Sequence, residues 1–314
     1  IKLGNITYHA NTEYFVEISA STKNDWGLLP AGFEVAHEQI RLDTKYNKEP
    51  VMVENGIDLS VKKEGLNTIV SNANLELVFN EKEGRLTSYK FKNNQLLKDG
   101  KGPKPNFWRA VTDNDIGNKM QLRNIEWKKA SLFSEVTEIV SRQLSTNQVE
   151  LKVSYKLPGV ETQFTSVYLI NGNGVVRIEN TLGKTSYKGD LPRIGMRMQL
   201  PKQYNEMTYF GRGPWENYQD RKHSAFVDLY TSRVSEQYVP YIRPSENGYK
   251  TEVRWVSLIN KNGNGLMVVS EDKKNGLGIG ALHMLNEDFD ITPGLDYGGS
   301  KVVDKKYQID RIHE

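Results

Sequence analysis

The sequence predicts an all-β protein made of antiparallel strands arranged as a sandwich or a closed system of sheets. Two features support this fold class. Apolar residues recur at every second position in the best-defined segments, and short turns rich in glycine and asparagine separate those segments. No long stretch combines helical spacing with capping residues. Many short strands joined by tight turns are typical of all-β domains.

The clearest strand spans residues 149–157. Its alternate residues Val149, Leu151, Val153 and Tyr155 are apolar, and the residues between them are charged or polar. Successive side chains of a strand point to opposite faces of the sheet. One face of this strand therefore lies on a core and the other in water, as is usual in antiparallel sheets.

Three glycine-containing turns predict hairpins on either side of this strand and later in the chain. Each turn separates two segments rich in β-branched, aromatic or alternating apolar residues. Glycine tolerates the positive φ angles that tight hairpin turns require. The predicted turns lie at residues 81–84, 171–174 and 260–265.

The chain is divided at a polar, turn-rich stretch near its start. Residues 1–43 contain a strand pattern at 14–18, but about forty residues are too few to bury a core of their own. We therefore interpret residues 1–43 as the end of a small β-sandwich, 44–65 as a linker and 66–314 as the main domain. We expect both ends of the chain to be cut points in a longer polypeptide.

Composition excludes several classes of function. The net charge is only +3, from 42 basic and 39 acidic residues that are interspersed, so no footprint for nucleic acid or an anionic membrane is visible. No apolar run reaches the roughly 20 residues of a membrane-spanning helix. The absence of cysteine excludes disulfides and thiolate chemistry and leaves the compartment open. A neutral partner such as a sugar fits this balance.

The segment 106–117 is the first of two with more charged, aromatic and glycine residues than a β core needs. Arg109 can pair with one of the two aspartates that follow it, and an asparagine between them tolerates a left-handed backbone. We therefore expect an ordered, non-repetitive loop. A glycine at its end would permit a hinge for residues 118–124. A surface turn is the alternative interpretation. The candidate site residues are Asp113, Asn114, Asp115 and Gly117.

The second such region comprises residues 211–222 and 237–248. Carbohydrate sites combine aromatic faces with side chains that hydrogen-bond hydroxyl groups, and both stretches supply that mixture. The alternative, in which the charged residues form buried ion pairs that hold loops in place, stays open. The candidate binding residues are Arg212, Trp215, Glu216, Asn217, Arg243, Glu246 and Asn247.

Catalytic machinery is not visible in the sequence. The five histidines are scattered without the spacing of metal ligands, and neither a phosphate-binding glycine loop nor a nucleophile elbow occurs. Hydrolysis of a glycosidic bond needs two carboxyl groups about 5 to 9.5 Å apart, which spacing along the chain does not establish. We assign no catalytic residue and no metal ligand.

Three motifs in this order closely resemble the C-terminal domain of bacterial β-galactosidases of glycoside hydrolase family 2. They are Phe-Trp-Arg-Ala with Thr-Asp-Asn-Asp at 107–115, Gly-Arg-Gly-Pro with Glu-Asn-Tyr and Asp-Arg at 211–221, and a third run at 236–255. The resemblance implies a large antiparallel sandwich of the galactose-mutarotase type from residue 66 onward. Residues 29–39 resemble the last strands of an immunoglobulin-like domain.

The resemblance also implies what the intact enzyme does. Such a parent would hydrolyse β-D-galactosides with retention, through two glutamates on an upstream (β/α)8 barrel that also holds magnesium. This part would carry no cofactor, would be inactive alone, and would border the galactoside pocket, with the loop 113–124 moving about Gly117. The parent is expected to be a homo-oligomer, and the barrel is this part's expected partner.

Two departures from the family pattern limit the transfer. Trp215 stands where the family usually has histidine, which favours stacking over hydrogen bonding at that position. The glycine-rich loop with a tryptophan that ends the family is not found; residues 298–300 do not match it. Two alternatives remain: a sugar mutarotase using His223 or His283 with Glu216 or Glu246, and a carbohydrate-binding module.

Overall fold

The computed structural model describes residues 4, 6–9, 12–42, 56–241, 245–272 and 275–290. This part of the chain contains nineteen strands and four short α-helices, and every strand pair in it is antiparallel. The predicted all-β sandwich fold is confirmed. None of the helices in these ranges has the length and apolar character needed to cross a membrane.

A two-stranded hairpin opens the described chain. Strand β1 (Phe15–Ser21) pairs with β2 (Glu34–Arg41). Apolar residues on it, among them Ile18 and Ile40, remain exposed. A two-stranded sheet cannot bury them by itself.

The first large sheet is a five-stranded meander in which each strand pairs with the next. Its strands are β3 (Ser60–Glu64), β4 (Asn67–Ser71), β5 (Leu75–Asn80), β6 (Arg85–Phe91) and β7 (Asn94–Gln95). The hairpin predicted around residues 81–84 is β5 and β6. Strand β3 lies inside the predicted linker and pairs in register with β4, so the main domain begins before residue 66; residues 43–55 lie outside the described residues.

A short strand, β8 (Lys104–Asn106), leads into three helices: α1 (Asp113–Gly117), α2 (Met120–Arg123) and α3 (Ile125–Leu132). The sequence predicts an ordered non-repetitive loop over 106–117; residues 107–112 have no regular secondary structure, but residues 113–117 are helical. Thr112 and Asp115 form a reciprocal capping box that starts α1. Trp127 and Ala130 of α3 are buried in the main core, so packing stabilises helices too short to be stable alone.

The second large sheet has four strands in the order β12-β11-β10-β9. They are β9 (Glu135–Ser145), β10 (Gln148–Leu157), β11 (Thr162–Asn171) and β12 (Val176–Leu182). The predicted alternation in β10 is confirmed, because Val149, Leu151 and Val153 are buried and Lys152 is exposed. The next strand, β13 (Gly195–Arg197), pairs with β8.

These two sheets share one core. The rings of Phe79 on β5 and Tyr168 on β11 meet with centroids 5.6 Å apart, and Tyr155 of β10 donates a hydrogen bond to the carbonyl of Gly84. Gly84 has a φ of +67°, and a Cβ there would lie 2.5 Å from Val136 Cγ2. The turn between β5 and β6 therefore requires glycine, because the facing sheet packs directly on it.

The rest of the chain forms a second layered unit around a smaller core. A sheet of order β15-β14-β17-β18 packs with the pair β16 and β19. The elements are β14 (Glu206–Gly213), β15 (Phe226–Arg233), β16 (Lys250–Val253), β17 (Trp255–Ile259), β18 (Gly265–Val269), β19 (Leu277–Ile279) and α4 (Asn286–Phe289). The hairpin predicted around residues 260–265 is β17 and β18.

The N-terminal hairpin is joined to this unit by buried polar contacts. The side-chain amide of Gln39 accepts from Val227 N at 2.7 Å and donates to Val227 O at 3.0 Å, as a neighbouring strand would. Glu13 Oε2 lies 2.9 Å from Arg254 Nε, and Arg41 lies 3.3 Å from the same carboxylate. The hairpin thus docks on the edge strand β15 and beside β17.

Candidate functional site

Asp115 is the aspartate that pairs with Arg109. Its Oδ2 accepts from Arg109 Nη1 at 2.5 Å and from Thr112 N at 2.8 Å, and its Oδ1 accepts from Arg109 Nη2 at 3.0 Å. Burial acts to raise the pKa of Asp115, but the bonds from Arg109 and Thr112 outweigh it and leave the pKa below its usual value. The carboxylate therefore holds the start of α1 as an anion.

The other candidates of the first motif lie on the exposed side of the same short helix. Asp113, Asn114 and Gly117 are solvent-exposed. The left-handed backbone predicted at Asn114 occurs instead at Lys119, with a φ of 60°. Gly117 has no positive φ, and a Cβ added there meets nothing within 4 Å. Its local conformation therefore does not require glycine.

Glu216 follows β14 and is almost fully buried. Its Oε1 accepts from Arg221 Nη2 at 2.5 Å and from the Tyr241 hydroxyl, and its Oε2 accepts from Gly248 N at 2.8 Å and the Tyr218 hydroxyl at 3.3 Å. Both oxygens are thus occupied by protein donors. The carboxylate therefore connects residues 218–221 with residues 241–248 through hydrogen bonds.

Asn217 and Asn247 fasten the backbone of the same loops. Asn217 is fully buried; its Oδ1 accepts from Thr251 N at 3.0 Å, and its Nδ2 donates to the carbonyls of Arg212 and Trp215. The amide of Asn247 binds both the N–H and the carbonyl of Val239, at 2.8 and 2.6 Å. Neither amide is directed to solvent.

Arg212 is a residue of β14 and belongs to a second ion-paired group. Its Nε is 2.9 Å from Glu252 Oε2 without the alignment of a hydrogen bond, and its Nη1 donates to Ala225 O at 2.8 Å. Lys222 Nζ lies 2.8 Å from the same glutamate. Burial acts to raise the pKa of Glu252, but Lys222 and Arg212 lower it further than burial raises it.

Glu246 is buried and its Oε1 accepts a hydrogen bond from Arg193. Its Oε2 has no hydrogen-bond partner. The charge of Glu246 also acts on Arg109, so the two predicted regions meet at this point. Arg243 lies outside the described residues.

Two tyrosines and two arginines form a stack through the middle of the second region. The rings of Tyr218 and Tyr249 are stacked at 5.6 Å and 18°. Arg221 lies 4.7 Å from the centroid of Tyr218, and Arg193 lies 4.7 Å from that of Tyr249. Each arginine is an end of the stack and pairs with a buried glutamate. Cation–π contacts of this kind are worth about 0.5 to 2 kcal/mol each.

Lys250 on β16 is the residue that sequence reasoning missed. Its ammonium is buried and has one long hydrogen bond, 3.5 Å to Gly248 O. Burial lowers the pKa of Lys250 to about 8, against the opposing charge of Glu216. We name the group around it the ion-pair cluster. Its members are Arg109, Asp115, Arg193, Glu216, Tyr218, Arg221, Glu246, Tyr249 and Lys250.

Trp215 differs from these residues because its side chain is 52% exposed. Its carbonyl is held by Asn217 at 3.2 Å, and the preceding Pro214 carbonyl accepts from Tyr209 at 3.3 Å. The indole is therefore presented from a fixed backbone. It offers an aromatic face at the surface.

The arrangement favours a positioning role for the buried residues. In the ranges of chain that the structure describes, no group of three or more His, Asp or Glu side chains could hold a metal ion. His283 Nε2 lies 3.0 Å from Asn205 Oδ1, and Glu216 has no free oxygen for acid–base chemistry with a histidine. Arg109, Arg212, Glu216 and Glu246 form ion pairs within the domain, which is the arrangement that the alternative interpretation describes.

The fold and the ion-pair cluster define an antiparallel β-sandwich domain with a largely buried network of charged and aromatic side chains. The chain belongs to the family described as the beta galactosidase small chain, whose model matches residues 71–293. It is 34% identical over 256 residues to a beta-galactosidase of Priestia megaterium, covering 82% of this chain and 24% of the relative.

Other relatives give the same picture. A beta-galactosidase of Lactobacillus delbrueckii subsp. bulgaricus is 28% identical over 80% of this chain and 24% of its own length. One of Psychromonas ingrahamii is 30% identical over 77% of this chain and 25% of its own length. The chain thus spans about a quarter of the length of the curated relatives it matches.

Proposed function

We propose that this chain is a non-catalytic C-terminal part of a β-galactosidase, an enzyme that hydrolyses terminal β-D-galactosides with retention of configuration, and that it borders the sugar pocket. The observation that carries the proposal is the match of residues 71–293 to the beta galactosidase small chain family. The named relatives are matched over only about a quarter of their length, which leaves room for a separate catalytic portion.

The state of two candidate carboxylates, those of Asp115 and Glu216, supports a non-catalytic role for them. A retaining glycosidase needs one carboxylate free to attack and one carboxylic acid able to donate a proton. Asp115 and Glu216 have both oxygens bound by protein donors. We propose that the two catalytic glutamates and the magnesium ion lie on an upstream (β/α)8 barrel, and that the intact enzyme is a homo-oligomer.

Within this part, exposed groups are proposed to contact the galactoside and buried groups to hold them in place. Trp215 offers an indole face that suits the apolar side of a pyranose. Asp113, Asn114 and Gly117 lie on the exposed surface of α1. Arg212, Asn217 and Asn247 hold backbone groups of the second region, and Glu246 pairs with Arg193.

An assay of the isolated chain on a chromogenic β-galactoside tests the proposal. The 314-residue chain is expected to show no turnover above the buffer rate, whereas the chain joined to its upstream polypeptide is expected to hydrolyse the substrate. Robust turnover by the isolated chain would place the catalytic carboxyls inside it and overturn the proposal.

The exposure of Trp215 also favours carbohydrate binding by the chain itself, which is compatible with the role above. Calorimetry with galactose and lactose measures it directly, and Trp26 provides a matched control because it is 72% exposed on the N-terminal hairpin. Weakened binding in Trp215→Ala but not in Trp26→Ala supports this role. Equal binding by both variants contradicts it.

A further inference from the structure

The chain is rich in asparagine–glycine pairs. In such a pair the backbone nitrogen of the glycine can attack the side-chain amide carbon of the asparagine and expel ammonia, because no Cβ on the glycine hinders the approach. The reaction depends on what holds the glycine N–H and on the access of water. The pairs within the described residues are 171–172, 173–174, 247–248, 262–263, 264–265 and 275–276.

In five of these six pairs the glycine N–H is held by a hydrogen bond. Attack requires the nitrogen to lose its proton and to move toward the neighbouring side chain. A hydrogen bond to a fixed acceptor opposes both steps, because it must first be broken. The acceptors are Asn147 O for Gly172, Asn171 O for Gly174, Glu216 Oε2 for Gly248, Asn260 O for Gly263 and Asp272 O for Gly276, at 2.9, 2.9, 2.8, 2.9 and 3.3 Å.

The N–H of Gly265 differs, and the register of the hairpin formed by β17 and β18 shows why. At one end of this ladder Ser270 N donates to Arg254 O at 2.8 Å, and at the other end Asn260 N donates to Asn264 O at 2.8 Å. Hydrogen-bonded and non-hydrogen-bonded pairs alternate along an antiparallel ladder. Counted from either end, the pair that contains Gly265 is a non-hydrogen-bonded one. The N–H of Gly265 therefore points away from β17.

The direction away from β17 leads to the free edge of the sheet. Within the described part of the chain, β18 is the last strand in the order β15-β14-β17-β18. The preceding residue, Asn264, is exposed, so water reaches both reacting groups. The position also requires glycine, because a Cβ on Gly265 would overlap the carbonyl oxygen of Leu258.

We propose that Asn264 is a site of spontaneous deamidation. Gly265 N forms a bond to Asn264 Cγ, the bond from Cγ to Nδ2 breaks, and ammonia leaves with the proton of the glycine N–H. The product is a five-membered cyclic imide. Water then opens the ring at either carbonyl and gives aspartate or isoaspartate at position 264. Water is the only co-reactant, and each product adds one negative charge to the surface.

The isoaspartate product changes the end of the hairpin. Its main chain runs through the former side chain and is longer by one methylene group, so the carbonyl at position 264 no longer lies opposite the N–H of Asn260. We expect the amide of Asn260 to lose its protection from hydrogen exchange in this form. Asn264→Asp supplies the charge without the added methylene and should keep that protection. Full protection in the isoaspartate form contradicts the assigned register.

Incubation of the folded 314-residue chain at mildly alkaline pH, followed by peptide mass mapping, measures conversion at each pair. Asn262 is the matched control, because it is exposed in the same turn but precedes a glycine whose N–H is bonded. Asn264 is expected to convert roughly two- to tenfold faster than Asn262, the factor by which one backbone hydrogen bond raises a barrier. Equal or faster conversion at Asn262 or Asn275 overturns the proposal.

Unfolding separates the effect of structure from that of local sequence. In urea that unfolds the chain, the difference between Asn264 and Asn262 is expected to disappear, and a difference that persists there overturns the proposal. Asn264→Gln should abolish conversion at position 264, because the corresponding glutamine ring has six members and forms slowly. Asn262→Gln should leave that conversion within twofold. Its loss in Asn262→Gln would place the reactive site at position 262 instead.

Discussion

Lys250 is buried with a single weak hydrogen bond, and its pKa is lowered to about 8 by that burial. Below pH 8 both the folded and the unfolded chain carry the proton, so the cost of the buried charge is fully present. Between pH 8 and the ordinary lysine pKa of 10.5, the folded chain loses the proton of Lys250 whereas the unfolded chain keeps it. Stability from this group therefore rises with pH across that window.

We predict that Lys250→Met raises the free energy of unfolding at pH 7 by about 2 kcal/mol, because an apolar side chain of similar length replaces a poorly paired buried charge. The wild-type chain should gain about 1 kcal/mol between pH 7 and pH 9, and the variant should not. Urea unfolding at both pH values measures the two effects. Parallel profiles of stability against pH for the two proteins would contradict the lowered pKa of Lys250.

Glu216 presents the opposite case of a buried charge with a full set of partners. We predict that Glu216→Ala lowers the free energy of unfolding by about 3 to 5 kcal/mol, because Lys250 and the N–H of Gly248 lose their compensation in a buried site. The exposed pair of Arg177 and Glu271 provides the control, and Glu271→Ala should cost less than about 1 kcal/mol. Thermal and urea unfolding measure both variants. If burial were unimportant, Glu216→Ala and Glu271→Ala would lower the free energy of unfolding by similar amounts.

At the scale of single residues, the sequence predicted some contacts of the candidate site and missed others. The pairing of Arg109 with an aspartate four or six positions away was predictable, because local spacing restricts the choice to two. The partners of Glu216 and Glu246 were not, because Gly248 and Arg193 are 32 and 53 residues distant. Lys250 stands in an unremarkable alternating context, and only the fold shows that its side chain faces inward.

Among the elements, the strands followed their patterns and the helices did not. The apolar alternation of β10 determines which face it buries, since a slip of one residue would expose all its apolar side chains. Helices α1 and α2 have five and four residues, too few for helical periodicity to be recognised. They depend on the Thr112 capping box and on packing of buried residues that local sequence does not reveal.

The helical segment gives a prediction about Gly117. Because Gly117 has no positive φ and open space around it, Gly117→Ala should leave stability unchanged or raise it by up to about 1 kcal/mol. In the full-length enzyme we nonetheless expect changed galactoside turnover, since reduced backbone freedom would restrict movement of residues 113–124. Melting temperature and steady-state kinetics measured together separate the two effects. Unchanged kinetics would remove the hinge hypothesis.

At the scale of the whole molecule, long-range contacts decide how the parts fit together. Gln39 bonds a residue 188 positions away, and Glu13 bonds one 241 positions away. Periodicity and turn signals describe neighbours along the chain and carry no information about such pairs. The sequence therefore predicted a separate N-terminal piece, and the structure adds that this piece contacts the sheet of order β15-β14-β17-β18.

This fastening can be tested by removing its central contact. Gln39→Ala leaves the N–H and carbonyl of Val227 without their side-chain partner in a buried position, which costs about 1 to 3 kcal/mol. We expect amide exchange across β1 and β2 to accelerate roughly five- to hundredfold, because the hairpin opens locally while the sandwich stays folded. Glu34→Ala is the control, since its contact with His37 is exposed. Equal exchange in both variants, or faster exchange throughout β10 and β11, would show that the hairpin is not held at this point.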